Sequence, residues 1–190
     1  MNLYIMKSVR KIPVLLTVVF LFSSCIKDVD FEQINDLTSA PTFKTSLAHF
    51  TLNQITFFDR INSLEIITPI NRTSSFLSLK SSFVRENLQQ MILDFEINNE
   101  FNREFRATFE FLDDNDVVTH SFNTFFIAAN NLKFTRQERI NVSGNNQFLS
   151  STKIRVFIEL RPSNNGAVIN PNIEKKLVFK TAGTFFLNLQ

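Results

Sequence analysis

The sequence predicts an all-β chain, an antiparallel β-sandwich of about eight strands. Three observations carry that prediction. Apolar residues recur at every second position over several stretches, the breaks between them are rich in asparagine, and no stretch shows the 3.6-residue period of an amphipathic helix.

The clearest strand holds Met91, Leu93, Phe95 and Ile97 on one face and Gln90, Asp94 and Glu96 on the other. Phe105, Ala107, Phe109 and Phe111 stand opposite Arg106, Thr108 and Glu110 in the same way. Ile154, Val156, Ile158 and Leu160 alternate with Arg155, Phe157, Glu159 and Arg161. Such alternation puts one face on a core and the other in water, and a one-residue slip would bury the charges. Around these three, weaker strands are expected at Phe43–Thr51, Leu64–Thr68, Phe76–Lys80, Val117–Ala128, Leu132–Arg136, Leu177–Lys180 and Thr184–Leu189. The segment Val117–Ala128 is apolar on both sides near Phe125-Phe126-Ile127, as in a strand covered on both faces. Breaks fall at Asn98-Asn99, Asn130-Asn131, Asn145-Asn146 and Asn164-Asn165-Gly166. With three glycines in the chain, asparagine supplies most turns that need unusual backbone angles. The strand count points to an immunoglobulin-like or transthyretin-like Greek key.

The N-terminus has a different grammar. Lys7, Arg10 and Lys11 precede an apolar run of 11 residues, Ile12 to Phe22, followed by Ser23-Ser24-Cys25. A basic start, a short apolar core and small residues make a secretory signal peptide over residues 1–24. The run is too short to span a bilayer, which needs about 20 residues. Leu21-Phe22-Ser23-Ser24-Cys25 resembles the lipobox of bacterial lipoproteins, in which the cysteine carries acyl chains such as palmitate; Phe22 departs from the aliphatic residue usual at its position. The expected lipidation residue is therefore Cys25, and Met6 is an alternative initiator to Met1. Residues 25–41 read as a polar, acidic tether, and 42–190 as the β-sandwich domain. Asp28, Asp30 and Glu32 are similar to short charged signals that carry some such lipoproteins to the cell surface.

Composition narrows the function. Without residues 1–24 the chain keeps 166 residues, enough for one domain with a real core. Of 20 basic residues, three leave with the signal, so 17 face 18 acidic ones and the net charge is −1. No basic field remains for nucleic acid. Cys25 is the only cysteine, so the domain has no disulfide and is held by apolar burial. The chain has 23 Phe, no Trp and one Tyr, Tyr4, within the signal. Phe fills cores and lacks the polar handle that Trp and Tyr bring to wet interfaces, which weighs against a sugar-stacking site.

Candidate sites are few. His49 and His120 lie in different strands without metal-ligand spacing, and the chain has no nucleophile elbow or glycine-rich loop. No catalytic residue, metal or cofactor is expected, and the chain reads as a non-enzyme. Asp113, Asp114, Asn115 and Asp116 form the densest acidic cluster. They are read first as a hairpin loop and second as a calcium loop, the alternate spacing, glycine and later glutamate of an EF-hand being absent. Signal, acidic tether and strand texture together resemble the small, functionally uncharacterised outer-membrane lipoproteins of the Bacteroidetes type. That resemblance implies attachment to the outer membrane through Cys25, on the periplasmic or the surface face, and carries no functional motif. The expected role is a binding or scaffolding module for another envelope protein. The alternative is a glycan- or ligand-binding accessory lipoprotein in surface nutrient capture.

Overall fold

The computed structural model describes residues 40–163, 166 and 168–188; the signal peptide, Cys25 and nearly all of the acidic tether lie outside the described residues. Strands β1 (Thr42–Asn53), β2 (Phe58–Asp59), β3 (Leu64–Glu65), β4 (Ile70–Ser75), β5 (Leu88–Asn99) and β6 (Phe105–Leu112) form the first half. Strands β7 (Val118–Ser121), β8 (Phe125–Ile127), β9 (Phe134–Asn141), β10 (Lys153–Leu160) and β11 (Lys176–Leu187) complete the set. A four-stranded sheet runs β1-β11-β5-β9, and a five-stranded sheet runs β4-β10-β6-β7 with β8 also pairing with β6. All pairings are antiparallel.

The chain is thus an antiparallel sandwich, as the alternation predicts, and the strand order narrows the topology further. The pairing is nested: β1 with β11, β4 with β10, β5 with β9, and β6 with β7 and β8. A long antiparallel ribbon wrapped in this way is a jelly roll, made of two Greek keys, rather than the immunoglobulin-like or transthyretin-like arrangement expected from strand count.

Inner faces of the two sheets carry the core, and phenylalanine fills it in three tiers. Phe57, Phe101 and Phe105 pack together with centroids 4.9–5.6 Å apart. Phe95 meets Phe109 at 5.1 Å and Phe125 at 4.7 Å, both edge to face. Phe111 meets Phe76 and Phe148, each at 5.0 Å. Edge-to-face pairs add roughly 0.5–1.5 kcal/mol beyond area burial. Gly183 is required where β1, β5 and β11 meet: a Cβ there would stand 2.5 Å from Met91 Cε and 3.1 Å from Leu47 Cδ1. Leu47 is the extra residue of a bulge in β1, between Ser46 and Ala48.

Several expected elements change on the structure. Leu177–Lys180 and Thr184–Leu189 join into the single strand β11, because Thr181 and Gly183 continue its inward face. Leu64–Thr68 shortens to the two residues of β3. Phe76–Lys80 is no strand: Ser78–Lys80 is a 3-10 turn, and the buried residues Phe76 and Leu79 keep its spacing of three. A short helix, α1 (Ser82–Asn87), follows, and the Ser81 hydroxyl accepts the Val84 N–H at 3.4 Å as its cap. Val117–Ala128 breaks at residues 122–124 into β7 and β8. Its two faces are not both covered, since Phe126 is 55% exposed. Leu132 lies in a loop, and the strand begins at Phe134.

Candidate binding surfaces

Apart from the 122–124 break midway along β6, the strand directions sort the connections to two ends. β1 begins at Thr42, opposite Phe186, and finishes at Asn53, opposite Lys176. The end at Thr42, here the proximal end, also carries the connections 76–87, 113–117 and 142–152. The distal end carries the connections 54–69, 100–104, 128–133 and 161–175. Twelve-residue strands set the ends about 40 Å apart, at roughly 3.3 Å per residue.

A buried polar network ties the distal connections together. Arg103, 3% exposed, donates through Nη1 to both carboxylate oxygens of Glu65 at 2.5 and 2.7 Å, and through Nη2 to the Arg161 carbonyl at 2.5 Å. Glu65 Oε1 also accepts the Ile169 N–H at 2.7 Å. Asn99, fully buried, donates through Nδ2 to the carbonyls of Arg103 and Ala128, each at 2.8 Å, and accepts the Phe101 N–H. Sequence reasoning missed Arg103 and read Asn99 as a turn residue. A signal was present: Phe101, Arg103 and Phe105 alternate, which puts the arginine on the apolar side. Outside this network the same end exposes aliphatic side chains among charged ones such as Arg60, Lys133 and Glu174. Ile55, Ile61, Leu64 and Ile67 of the first connection are exposed, Ile61 at 93%, as are Leu132 and, in the last connection, Val168 and Ile173. These are seven of the thirteen large hydrophobic residues exposed among those described, so the distal end holds the largest share of them.

The proximal end combines five further exposed hydrophobic residues, Phe43, Leu77, Phe83, Val117 and Val118, with an acidic hairpin. Asp113 Oδ1 accepts the N–H groups of Asn115 and Val117, which shapes the expected hairpin loop. Lys153 Nζ lies 2.8 Å from Asp116 Oδ1 and 3.1 Å from the Asp114 carbonyl, so an ammonium stands where the calcium reading needs a metal. That ammonium holds the Asp116 carboxyl below its ordinary range. No group of three metal-ligating side chains converges among the described residues.

The two histidines stay apart. His49 is exposed and pairs with Lys180 on the outer face of the four-stranded sheet. His120 is half-buried, pairs with the core residue Phe111, and packs edge to face on Phe122 at 4.8 Å. Its Nδ1 lies 3.3 Å from Asn145 Nδ2. Burial lowers its pKa below 6.5, opposed by the charge of Glu138. Glu138 and Arg136, an ion pair, point inward from the edge strand β9, and the Arg136 guanidinium lies 4.4 Å over the Phe125 ring. Inward charges of this kind blunt an edge against pairing with another chain.

Both outer sheet faces carry a depression. On the four-stranded sheet, a trough of about 610 Å³ lies over Ser46 and Ala182, between two ion pairs. Lys44 Nζ meets Asp94 at 2.6 Å, and Lys180 Nζ meets Glu96 at 2.9 Å. Gln137 and Lys44 hold the Asp94 carboxyl below its ordinary range, the Gln137 hydrogen bond first. On the five-stranded sheet, a smaller cleft of about 230 Å³ is lined by Pro69, Arg106, Thr108, Phe157 and Glu159.

No family model matches the chain, and no curated protein matches it in sequence. Solved structures align with parts of the chain. A candidate secreted protein from Parabacteroides distasonis aligns at 12% identity and TM-score 0.47, over 62% of this chain and 38% of its own. The VP2 subviral particle protein of infectious bursal disease virus aligns at 8% identity and TM-score 0.42, over 78% and 33%. The enzymatically active domain of tailspike protein 4 from bacteriophage CBA120 aligns at 12% identity and TM-score 0.40, over 85% and 21%. The chain thus spans about two fifths or less of each of these proteins. No helix among the described residues is long and apolar enough to cross a membrane.

Proposed function

We propose that this chain is a non-enzymatic, lipid-anchored protein of the cell envelope that binds another envelope protein through its distal end. The observation that carries the reading is the combination found at the distal end. The sandwich starts at Thr42, on the end with the acidic hairpin, while seven exposed aliphatic side chains sit at the other end on connections joined by one buried network. A lipid on Cys25 anchors the chain, since acyl chains contribute about 0.8 kcal/mol per buried methylene. The sandwich starts at the proximal end, which leaves the distal connections, in a shape fixed before any partner arrives, for the partner. Pre-organised loops lose less entropy on binding, and exposed apolar area supplies the driving force. The outer membrane is the proposed site of attachment, following the lipobox and the acidic residues after it.

The test is cross-linking on intact cells followed by affinity capture of the tagged protein. One dominant envelope protein should be recovered with the wild type, and its yield should fall at least tenfold for the double variant Ile61→Asp/Leu64→Asp. Cys25→Ala should leave the membrane fraction. Equal recovery by the distal variant, or membrane retention of Cys25→Ala, would overturn the reading.

A further inference from the structure

We infer that the outer face of the five-stranded sheet holds a subsite for one sugar ring of a neutral glycan, built around Phe157. This goes beyond the distal-end reading and stands without it. In β10 the outward positions are Lys153, Arg155, Phe157 and Glu159, so one apolar ring sits in a charged row. Phe157 forms one wall of the 230 Å³ cleft, with Pro69, Thr108 and the paired side chains of Arg106 and Glu159 around it. The Arg155 guanidinium lies over one face of the Phe157 ring, 5.0 Å from its centroid, and is itself held by Glu110 at 2.7 and 2.9 Å, which leaves the side of the ring that lines the cleft for a ligand. Ring and rim are therefore fixed in place.

The lining selects the ligand. Each guanidinium beside the ring is matched by a carboxylate, so neither an anion nor a cation gains from entering. A purely apolar ligand would strip water from two ion pairs. A volume below the roughly 300–1,000 Å³ of drug-sized pockets suits a single ring. A pyranose fits on all counts: its C–H face packs on an aromatic ring, and its hydroxyls meet planar charged groups and the Thr108 hydroxyl. Phe126, 55% exposed, stands opposite Arg106 on β8, across β6 from Glu159. It lies about 10 Å from β10, at two strand spacings, and offers a second apolar contact to a longer chain.

The test is calorimetric titration of the full-length protein in detergent with neutral hexasaccharides: an α-glucan, a β-glucan, a mannan and a xylan. At least one should bind. Phe157→Ala should weaken that binding tenfold or more, Phe157→Tyr should retain it, and Phe126→Ala should weaken it a few-fold. Thr108→Trp, which fills the cleft and leaves Phe157 in place, should also abolish it; each variant should keep the wild-type circular dichroism spectrum. Binding by none of the four sugars, or binding indifferent to both Phe157→Ala and Thr108→Trp, would overturn the proposal.

Discussion

At the distal end one buried guanidinium, Arg103, joins connections from both sheets, whereas at the proximal end the joins are many, small and local. There Thr119 and Ser151 share a buried hydroxyl pair at 2.7 Å, Ser81 caps a single helical turn, and Lys153 spans an exposed acidic loop. Charge taken out of water is costly to leave unpaired, while hydroxyl pairs and surface ion pairs fail gently. The distal end should therefore hold its shape until the network breaks and then lose it at once. The proximal end should soften by degrees. The proposed binding face needs the first behaviour, because loose aliphatic loops would collapse on one another or aggregate.

The largest expected effect comes from breaking the distal network. Arg103→Met leaves the half-buried Glu65 without its cation, and should cost up to about 3–5 kcal/mol in urea denaturation. Adding Glu65→Leu should restore much of that loss, since replacing both members of a buried pair by apolar groups is often neutral. A cost under about 1 kcal/mol for Arg103→Met would erase the contrast between the ends. Next, Ser151→Ala at the proximal end strands the Thr119 hydroxyl and should cost about 1–3 kcal/mol by the same assay.

A pH titration sharpens the comparison further. Burial lowers the His120 pKa below its ordinary 6.5, with Glu138 as the opposing charge. Just below pH 6.5 the folded chain binds fewer protons than the unfolded one, so stability rises with pH. His120 thus contributes stability that is fully present above 6.5 and is lost as pH falls through its folded value. Melting temperature should drop between pH 7 and 5, and His120→Gln should flatten that slope. The lowered carboxylates Asp59, Asp94, Asp116 and Glu174 act in a separate window below about pH 4, where stability is lost as they are protonated. The smallest effect belongs to Lys153→Met, an exposed pair whose loss should leave the urea midpoint almost unchanged.

Period-two alternation marked β5, β6 and β10 well because each has one face on the core and one in water. It failed at β4, whose sequence Ile70-Asn71-Arg72-Thr73-Ser74-Ser75 is exposed on both sides from Asn71 onward and so carries no burial signal. It was displaced at β9, where the inward positions Arg136 and Glu138 are charged. Alternation also says which face is buried and nothing about which strand is the neighbour, so the nested pairing of a jelly roll was out of reach. The distal network was partly legible, in Arg103 between Phe101 and Phe105. Its partner Glu65 was not, being 38 residues away in a two-residue strand. The cleft at Phe157 was visible only as one aromatic among outward charges.

Whether a partner meets the distal connections can be read by placing a photo-reactive amino acid singly at Ile61, Val168, Val117 or Thr42 and activating it on living cells. One shared cross-linked envelope protein is expected from Ile61 and Val168, and none from Val117 or Thr42. Cross-links to that protein from the proximal positions alone, or equally from both ends, would overturn the proposed binding face.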